Sequence, residues 1–511
     1  MKHLSRRSFT GGLISAGSGL ALAPLSGCST LQRRQSRSVE RPNILFLFSD
    51  QQRWDSVSCY GAPLFPNLTP ALDQMAAEGV RFEYAFTNQP VCGPARACLQ
   101  TGRYAVETGC YTNDVALRLD EKTMAHYLAA VGYEVGYMGK LHLASQYTYG
   151  IWPEKGYASD GFLNTPDTLN FLNSPVPPER RCGYKDFWLA ADSLEYTTTP
   201  YEGYMFDSEG NRRDYQGIYR ADAQTDWVIE YLRTRDGKRP FFLFCSYLEP
   251  HHELSEPGRF AGPKGSRERF RNFIIPGDLR GKPGPWSEEM PDYLGCCSSL
   301  DRGVGRILTE LKRLGLLENT LVIYSSDHGC HFRTLNSTDK CSCHDSSTRV
   351  PLIIRGPGFR GGQVISELVS TVDMTATVLD AAGAGHPNTL RGRPLQDLTK
   401  KDTPAGWPPD VFIQISNHPG ASDEDALCGR ALRSKKWIYS VRAPKERNRY
   451  PDSEIYYEDY LFDLQQDPSQ QRNLVDDPDM TNVRLRLAER LKERMVMAGE
   501  KTPQILPGKS E

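Results

Sequence analysis

Four short apolar runs, far apart in the chain, each stop at side chains that can carry charge or bind a metal. Asn43 to Phe48 stops at Asp50 and Gln51, and the run from Tyr133 leads into Lys140 and His142. Phe241 to Tyr247 is followed by His251 and His252, and Leu321 to Tyr324 by Asp327 and His328. Apolar runs of this length without alternation predict strands buried on both faces, in a sheet covered by helices on both sides. Ligand sites in such sheets lie beyond the carboxyl ends of the strands. A single Asp or His after a strand is ordinarily a turn former or a helix cap. Four runs ending alike predict one shared site at one sheet edge.

The stretches between the runs read as helices, which makes the chain α/β. Thr69 to Glu78 has Thr69 as N-cap and Pro70 at the first helical position, and Tyr293 to Leu314 is apolar on a helical period. Tyr149 to Arg213, rich in Pro, Gly, Tyr and Asp, reads as long loops that could roof the site. Its aromatic residues Trp152, Tyr157, Trp188, Tyr201 and Tyr204 are candidate sugar-stacking surfaces or core packing. The character changes near residue 390. We therefore expect a large domain over 42–395 and a smaller α+β domain over 396–511, the latter closing with a helix over Asn482 to Ala498.

Residues 1–28 read as an export signal. The Arg6-Arg7 pair and the "LSGC" ending at Cys28 resemble a bacterial twin-arginine signal with a lipoprotein cleavage box, and 29–41 is a polar linker. Lipidation of Cys28 would tether an exported protein to the membrane at the periplasm or cell surface; the alternative is an ordinary signal peptide with an incidental cysteine. No later segment has the roughly 18 continuous apolar residues of a spanning helix. Lys and Arg total 61 against 63 Asp and Glu, so no global field attracts polyanions and no nucleic-acid partner is expected. If Cys28 and Cys92 are otherwise engaged, 11 of the 13 cysteines remain, an odd number that excludes complete pairing. Cys330, Cys341 and Cys343 could form a zinc cluster, a disulfide or plain buried thiols.

"PVCGPARACLQTGRY" carries the most specific motif. Its C-x-P-x-R followed by T-G-R, at Cys92, Pro94, Arg96, Thr101, Gly102 and Arg103, resembles the signature of the formylglycine-dependent type I sulfatases. The likeness extends over nearly all of the chain after the signal. It takes in Asp50-Gln51, Gly139-Lys140-x-His142, Pro250-His251, Asp327-His328-Gly329, and Lys340 nine residues before the R-V-P at Arg349. It implies an alkaline-phosphatase-like fold, a large mixed and mostly parallel sheet flanked by helices, with a smaller C-terminal α+β domain. It further implies oxidation of Cys92 to formylglycine by a maturation enzyme, and a divalent cation held by Asp50, Gln51, Asp327, His328 and the modified Cys92.

The implied roles follow residue by residue. Arg96 and Lys140 hold the formylglycine, Lys140 and Lys340 bind the sulfate, His142 is the base for elimination, and His251 is the acid for the leaving group. His252 contacts the sugar. Cys98 is a packing residue, because Gln100 stands where its own motif proline would be. The hard oxygen ligands favour Ca²⁺, with Mg²⁺ as the alternative, and the nitrogen of His328 leans the other way. Three positions depart from the commonest pattern: Gln51 in place of a second aspartate, His328 in place of an amide, and His344-Asp345 in place of Tyr-Glu. The implied substrate is a sulfated polysaccharide or glycan. Alternatives are a phosphodiesterase or phosphonate monoester hydrolase of the same superfamily, and a non-catalytic lipoprotein that binds sulfated glycans.

Overall fold

The computed structural model describes residues 41–508 except 62, 114, 147–168, 255–258, 401, 417–424 and 426. The export signal, Cys28, most of the linker, Trp152 and Tyr157 lie outside the described residues.

All four apolar runs are strands of one eleven-stranded sheet. Thr320–Ser326, Asn43–Ser49, Phe241–Ser246 and Glu134–Lys140 lie side by side in that order, all parallel, and Phe187–Ala191 extends the parallel block. Their carboxyl ends therefore share one edge. The absence of alternation has a direct cause: Ile44, Phe46 and Phe48 enter the core on one face, and Leu45 and Leu47 the core on the other. Helices Cys92–Thr101, Met124–Ala130 and Val372–Ala382 supply the first core. Pro70–Glu78, Arg220–Thr234 and Trp286–Arg313 supply the second.

Antiparallel pairing enters on both sides of this block, although the last strand on one side, Gln363–Ser370, pairs parallel with its neighbour. Leu352–Arg355 and Val80–Phe86 follow on one side, with Gln363–Ser370 beyond them, and Glu202–Asp207 and Arg212–Gln216 form a hairpin on the other. Over its described part, 169–213, this corrects the reading of 149–213 as loops. Phe187–Ala191 is only five residues long, and the hairpin is a sheet margin whose outer positions, such as Glu202, Arg212 and Asp214, face water. Phe187–Ala191 is itself an unbroken apolar run, obscured by the Pro-, Gly- and Asp-rich sequence around it, whereas the hairpin leaves none. The long helix is also longer than expected, beginning at Trp286 and carrying Pro291 in its second turn, where the missing N–H costs one bond near a solvent-facing end.

Asp410–Ile415, Gly429–Ser434, Trp437–Arg442, Ile455–Asp463 and Gln504–Leu506 form a second sheet, covered by helix Thr481–Met497. It is tied to segments flanking the first sheet by Asn88 Nδ2, which donates to Phe412 O at 2.9 Å, and by Arg433, whose Nε and Nη2 each lie 2.8 Å from Asp345. The chain from Arg41 onward is one compact unit. Cys330, Cys341 and Cys343 are all buried.

Candidate active site

Cys92 is the first residue of helix Cys92–Thr101, entered from extended Val91. Arg96 stands one turn later on the same face, so the motif spacing aims both side chains together. Pro94 falls in the first turn, where a backbone N–H has no helical acceptor to lose. Gly102 ends the helix at φ 67°, and Cys98 is fully buried packing, as expected.

Strand pairing brings the remaining groups to Cys92. Ser49 and Ser326 are register partners in adjacent parallel strands, so Asp50 and Asp327 emerge side by side. Lys140 ends the Glu134–Lys140 strand after Gly139, where a side chain would meet Ser246 O at 1.9 Å; only glycine allows that approach. Gln51 (φ 67°) and His142 (φ 57°) are both non-glycine residues in the left-handed region, a conformation found mostly where the surrounding structure imposes it at functional sites.

The cluster is tight and buried. Arg96 Nη2 lies 3.0 Å from Asp50 Oδ2 and 3.2 Å from Asp327 Oδ2, and Nη1 donates to Ser246 Oγ at 2.6 Å. Lys140 Nζ is 2.7 Å from Asp50 Oδ2 and also pairs with Glu195. Lys340 Nζ lies 3.0 Å from Cys92 Sγ and 3.3 Å from His251 Nε2. His328 Nε2 is 3.2 Å from Cys92 Sγ, and Asp50 Oδ1 is 3.5 Å from it. Potential ligand atoms of Asp50, Cys92, Asp327 and His328 all lie within 4.8 Å of one another.

Protonation follows from this packing. Burial pushes the Cys92 thiol up to about 12, helped by the Asp50 charge, so as a thiol it stays neutral. Burial also opposes ionisation of Asp50, but Lys140, His251, Arg96 and Lys340 together outweigh it and hold the carboxyl well below its ordinary value. Asp327 is pushed up by burial and by the neighbouring Asp50 charge. Burial, then Lys340, keeps His328 neutral; burial, then Lys140 and Arg96, does the same for His142; burial, then His252 and Lys340, for His251.

These residues fit a divalent cation. Gln51 Oε1 is buried with no partner among the described residues, while its Nε2 reaches Cys330 Sγ. His328 Nδ1 lies 2.8 Å from Gly329 O, a carbonyl that can only accept, which leaves Nε2 as the free lone pair facing Cys92 and Asp50. Added positive charge would also relieve the Asp50–Asp327 repulsion.

A cavity of about 290 Å³ opens onto the cluster, lined by Cys92, His142, His251, His252 and Lys340 among others. Every predicted catalytic, substrate-binding and metal residue is thus either in the buried cluster or on this cavity, while Cys28 lies outside the described residues. His252 sits at the rim, its ring stacked on His251 at 4.1 Å and its Nδ1 3.3 Å from Asp339 Oδ2. Of the two readings of the aromatic residues, packing is the one that holds for those described. Trp188 is buried against Tyr137, Tyr201 packs on Tyr219 and Tyr204 on Phe206, and none of the three lines the cavity. Asn113, Ser193, Glu195, Arg333 and Asp339 line it and were not anticipated. Ser193 and Glu195 follow strand Phe187–Ala191, so the rule that found the other four strand ends would have found them had that strand been recognised.

Two family models match this chain: one described as sulfatase over residues 42–384, and one described as N-sulphoglucosamine sulphohydrolase, C-terminal, over 335–497. An N-acetylglucosamine-6-O-sulfatase of Bacteroides thetaiotaomicron is 27% identical, with 89% of this chain and 86% of that protein covered. A ulvan-active sulfatase of Formosa agariphila is 28% identical, covering 91% and 83%. Among solved structures, YidJ of Bacteroides fragilis, described there as a candidate sulfatase, superposes with a TM-score of 0.73 at 24% identity, over 90% of this chain and 97% of the other. The large mixed sheet flanked by helices, with its C-terminal addition, is the alkaline-phosphatase-like fold of those neighbours. The chain belongs to the sulfatase family and is a sulfuric ester hydrolase.

Proposed function

We propose that this enzyme removes sulfate from a sulfated polysaccharide or glycan, with formylglycine made from Cys92 as the reacting residue and Ca²⁺, or alternatively Mg²⁺, bound by Asp50, Gln51, Asp327 and His328. The relatives named for N-acetylglucosamine-6-O-sulfate and ulvan support the substrate class. The observation that carries the reading is the setting of Cys92. Its Sγ stands where the oxygens of a hydrated aldehyde would be, 3.0 Å from Lys340 Nζ and 3.2 Å from His328 Nε2, while the thiol itself is held neutral and is a poor nucleophile.

A hydrated aldehyde supplies one hydroxyl to attack sulfur and a second whose deprotonation releases sulfate as the carbonyl re-forms. A bound divalent cation acidifies the attacking hydroxyl and draws charge from the sulfate oxygens. The chain's own side chains do the rest. Arg96, anchored on Asp50, Asp327 and Ser246, holds the carboxylates in place against the reacting residue. Lys140 and Lys340 offer ammonium charge to the sulfate oxygens. His142 is neutral and its buried Nδ1 has no partner among the described residues, so it can take the proton of the second hydroxyl. His251 Nδ1 lies 2.7 Å from His252 O, which leaves Nε2 to share the Lys340 proton and pass it to the leaving oxygen.

The test compares 4-nitrophenyl sulfate and 4-nitrophenyl phosphate as substrates for the native enzyme and for Cys92→Ala. We expect sulfate turnover to dominate and to fall by at least about 10³-fold in the variant, the scale of losing an activated nucleophile. Preferential turnover of the phosphate, or an unaffected variant, contradicts the proposal.

A further inference from the structure

One wall of the cavity carries a carboxylate that the sulfate chemistry does not require. Glu195 lies in the short helix Leu194–Thr197, just beyond strand Phe187–Ala191, and lines the cavity with Cys92, His142 and Lys340. Its side chain is only 8% exposed. One oxygen, Oε1, pairs with Lys140 Nζ. The other, Oε2, is buried and has no partner among the described residues. A buried acceptor without a donor is costly to keep, and at a ligand cavity a group on the ligand can supply the missing donor.

Charge decides which group. Sulfate is drawn toward Lys340 and the shared Lys140, whereas Glu195 repels any anion at its own position. A hydroxyl or an ammonium N–H would satisfy Oε2, and a carboxylate or a second sulfate there would meet like charge with no donor. The cavity, at about 290 Å³, is at the small end of ligand sites, so the group that meets Glu195 must stand close to the sulfate.

We propose that Glu195 is a specificity-determining residue that accepts a hydrogen bond from a hydroxyl or amino group next to the sulfate ester, which makes monosulfated neutral or amino sugars the favoured substrate class. The proposal rests on the sulfatase reading of the site above. Glu195 also holds Lys140, so its loss lowers turnover of every substrate; discrimination between substrates separates the two effects.

The experiment measures kcat/KM of the native enzyme and Glu195→Gln on three esters. They are 4-nitrophenyl sulfate, the best-hydrolysed member of a panel of monosulfated hexoses and hexosamines, and the deoxy analogue of that sugar lacking the neighbouring hydroxyl or amine. The variant is expected to lose about ten- to a hundredfold more on the sugar sulfate than on 4-nitrophenyl sulfate, the range for a hydrogen bond to a charged group. The native preference for the sugar over its deoxy analogue should also disappear. An equal loss on all three esters overturns the proposal and leaves Glu195 as a support for Lys140 alone. A native enzyme inert toward every one of these esters contradicts the sulfatase reading itself, and the role of Glu195 with it.

Discussion

Asp50 divides its oxygens between two tasks. Oδ2 takes Lys140 and Arg96, and Oδ1 faces Cys92 and His328. The same division holds at Gln51, whose backbone N–H donates to Asp327 Oδ1 at 2.9 Å while its side-chain oxygen has no partner among the described residues. Both patterns keep one oxygen in reserve for a cation. Chelation is therefore expected to abolish turnover and added Ca²⁺ to restore it. Gln51→Ala should weaken Ca²⁺ binding, read by titration calorimetry, by at least about tenfold, the loss that even an outer partner of a metal ligand causes. Unchanged affinity would remove Gln51 from the ligand set. These residues could be read from the sequence because each sits in a short motif at a strand end. Asp339 could not, since its role depends on His252, far away in the chain.

At the scale of elements, the four central strands were legible because burial on both faces leaves an unbroken apolar run. Phe187–Ala191 has such a run too, but it is obscured by the Pro-, Gly- and Asp-rich sequence around it and by the margin hairpin that follows, with its polar outer positions. Missing that strand hid the part of the cavity wall that carries Ser193 and Glu195. His344, where the family pattern commonly has tyrosine, stands between the sheets with its ring 5.1 Å from those of Tyr460 and Phe462. Burial, then the neighbouring His331, depresses it to about 3, against the pull of Asp278 and Asp345 and with Lys282 adding to the depression. Its ordinary value is about 6.5, so the unfolded chain binds a proton there between about pH 6.5 and 3 that the folded chain does not. The stability it contributes is complete above about pH 6.5 and is lost as pH falls toward 3. His344→Phe should shrink the drop in Tm between about pH 7 and pH 4.5 by several degrees in calorimetry. An identical drop in the variant would show that His344 does not set this slope.

For the whole molecule, the near-neutral charge balance leaves anion capture to a local cluster, in which Arg96, Lys140 and Lys340 face Asp50, Asp327 and Glu195. A divalent cation added to that balance leaves a net positive site matched to a sulfate monoester. No helix among the described residues is long and apolar enough to cross a membrane. We propose that the enzyme is exported by the twin-arginine route and tethered through Cys28, on the strength of Arg6-Arg7 and the "LSGC" box. Cys28→Ser is then expected to move the enzyme from the membrane fraction to the soluble periplasmic fraction in fractionated cells, and no redistribution would contradict tethering. Everything in the catalytic account converges on the state of residue 92. Mass spectrometry of the peptide containing Cys92, taken from enzyme whose sulfatase turnover has been measured on the same preparation, tests it most directly. The account predicts a peptide that has lost sulfur and two hydrogens and gained one oxygen, in a fraction that tracks turnover; an intact thiol throughout fully active enzyme would contradict it.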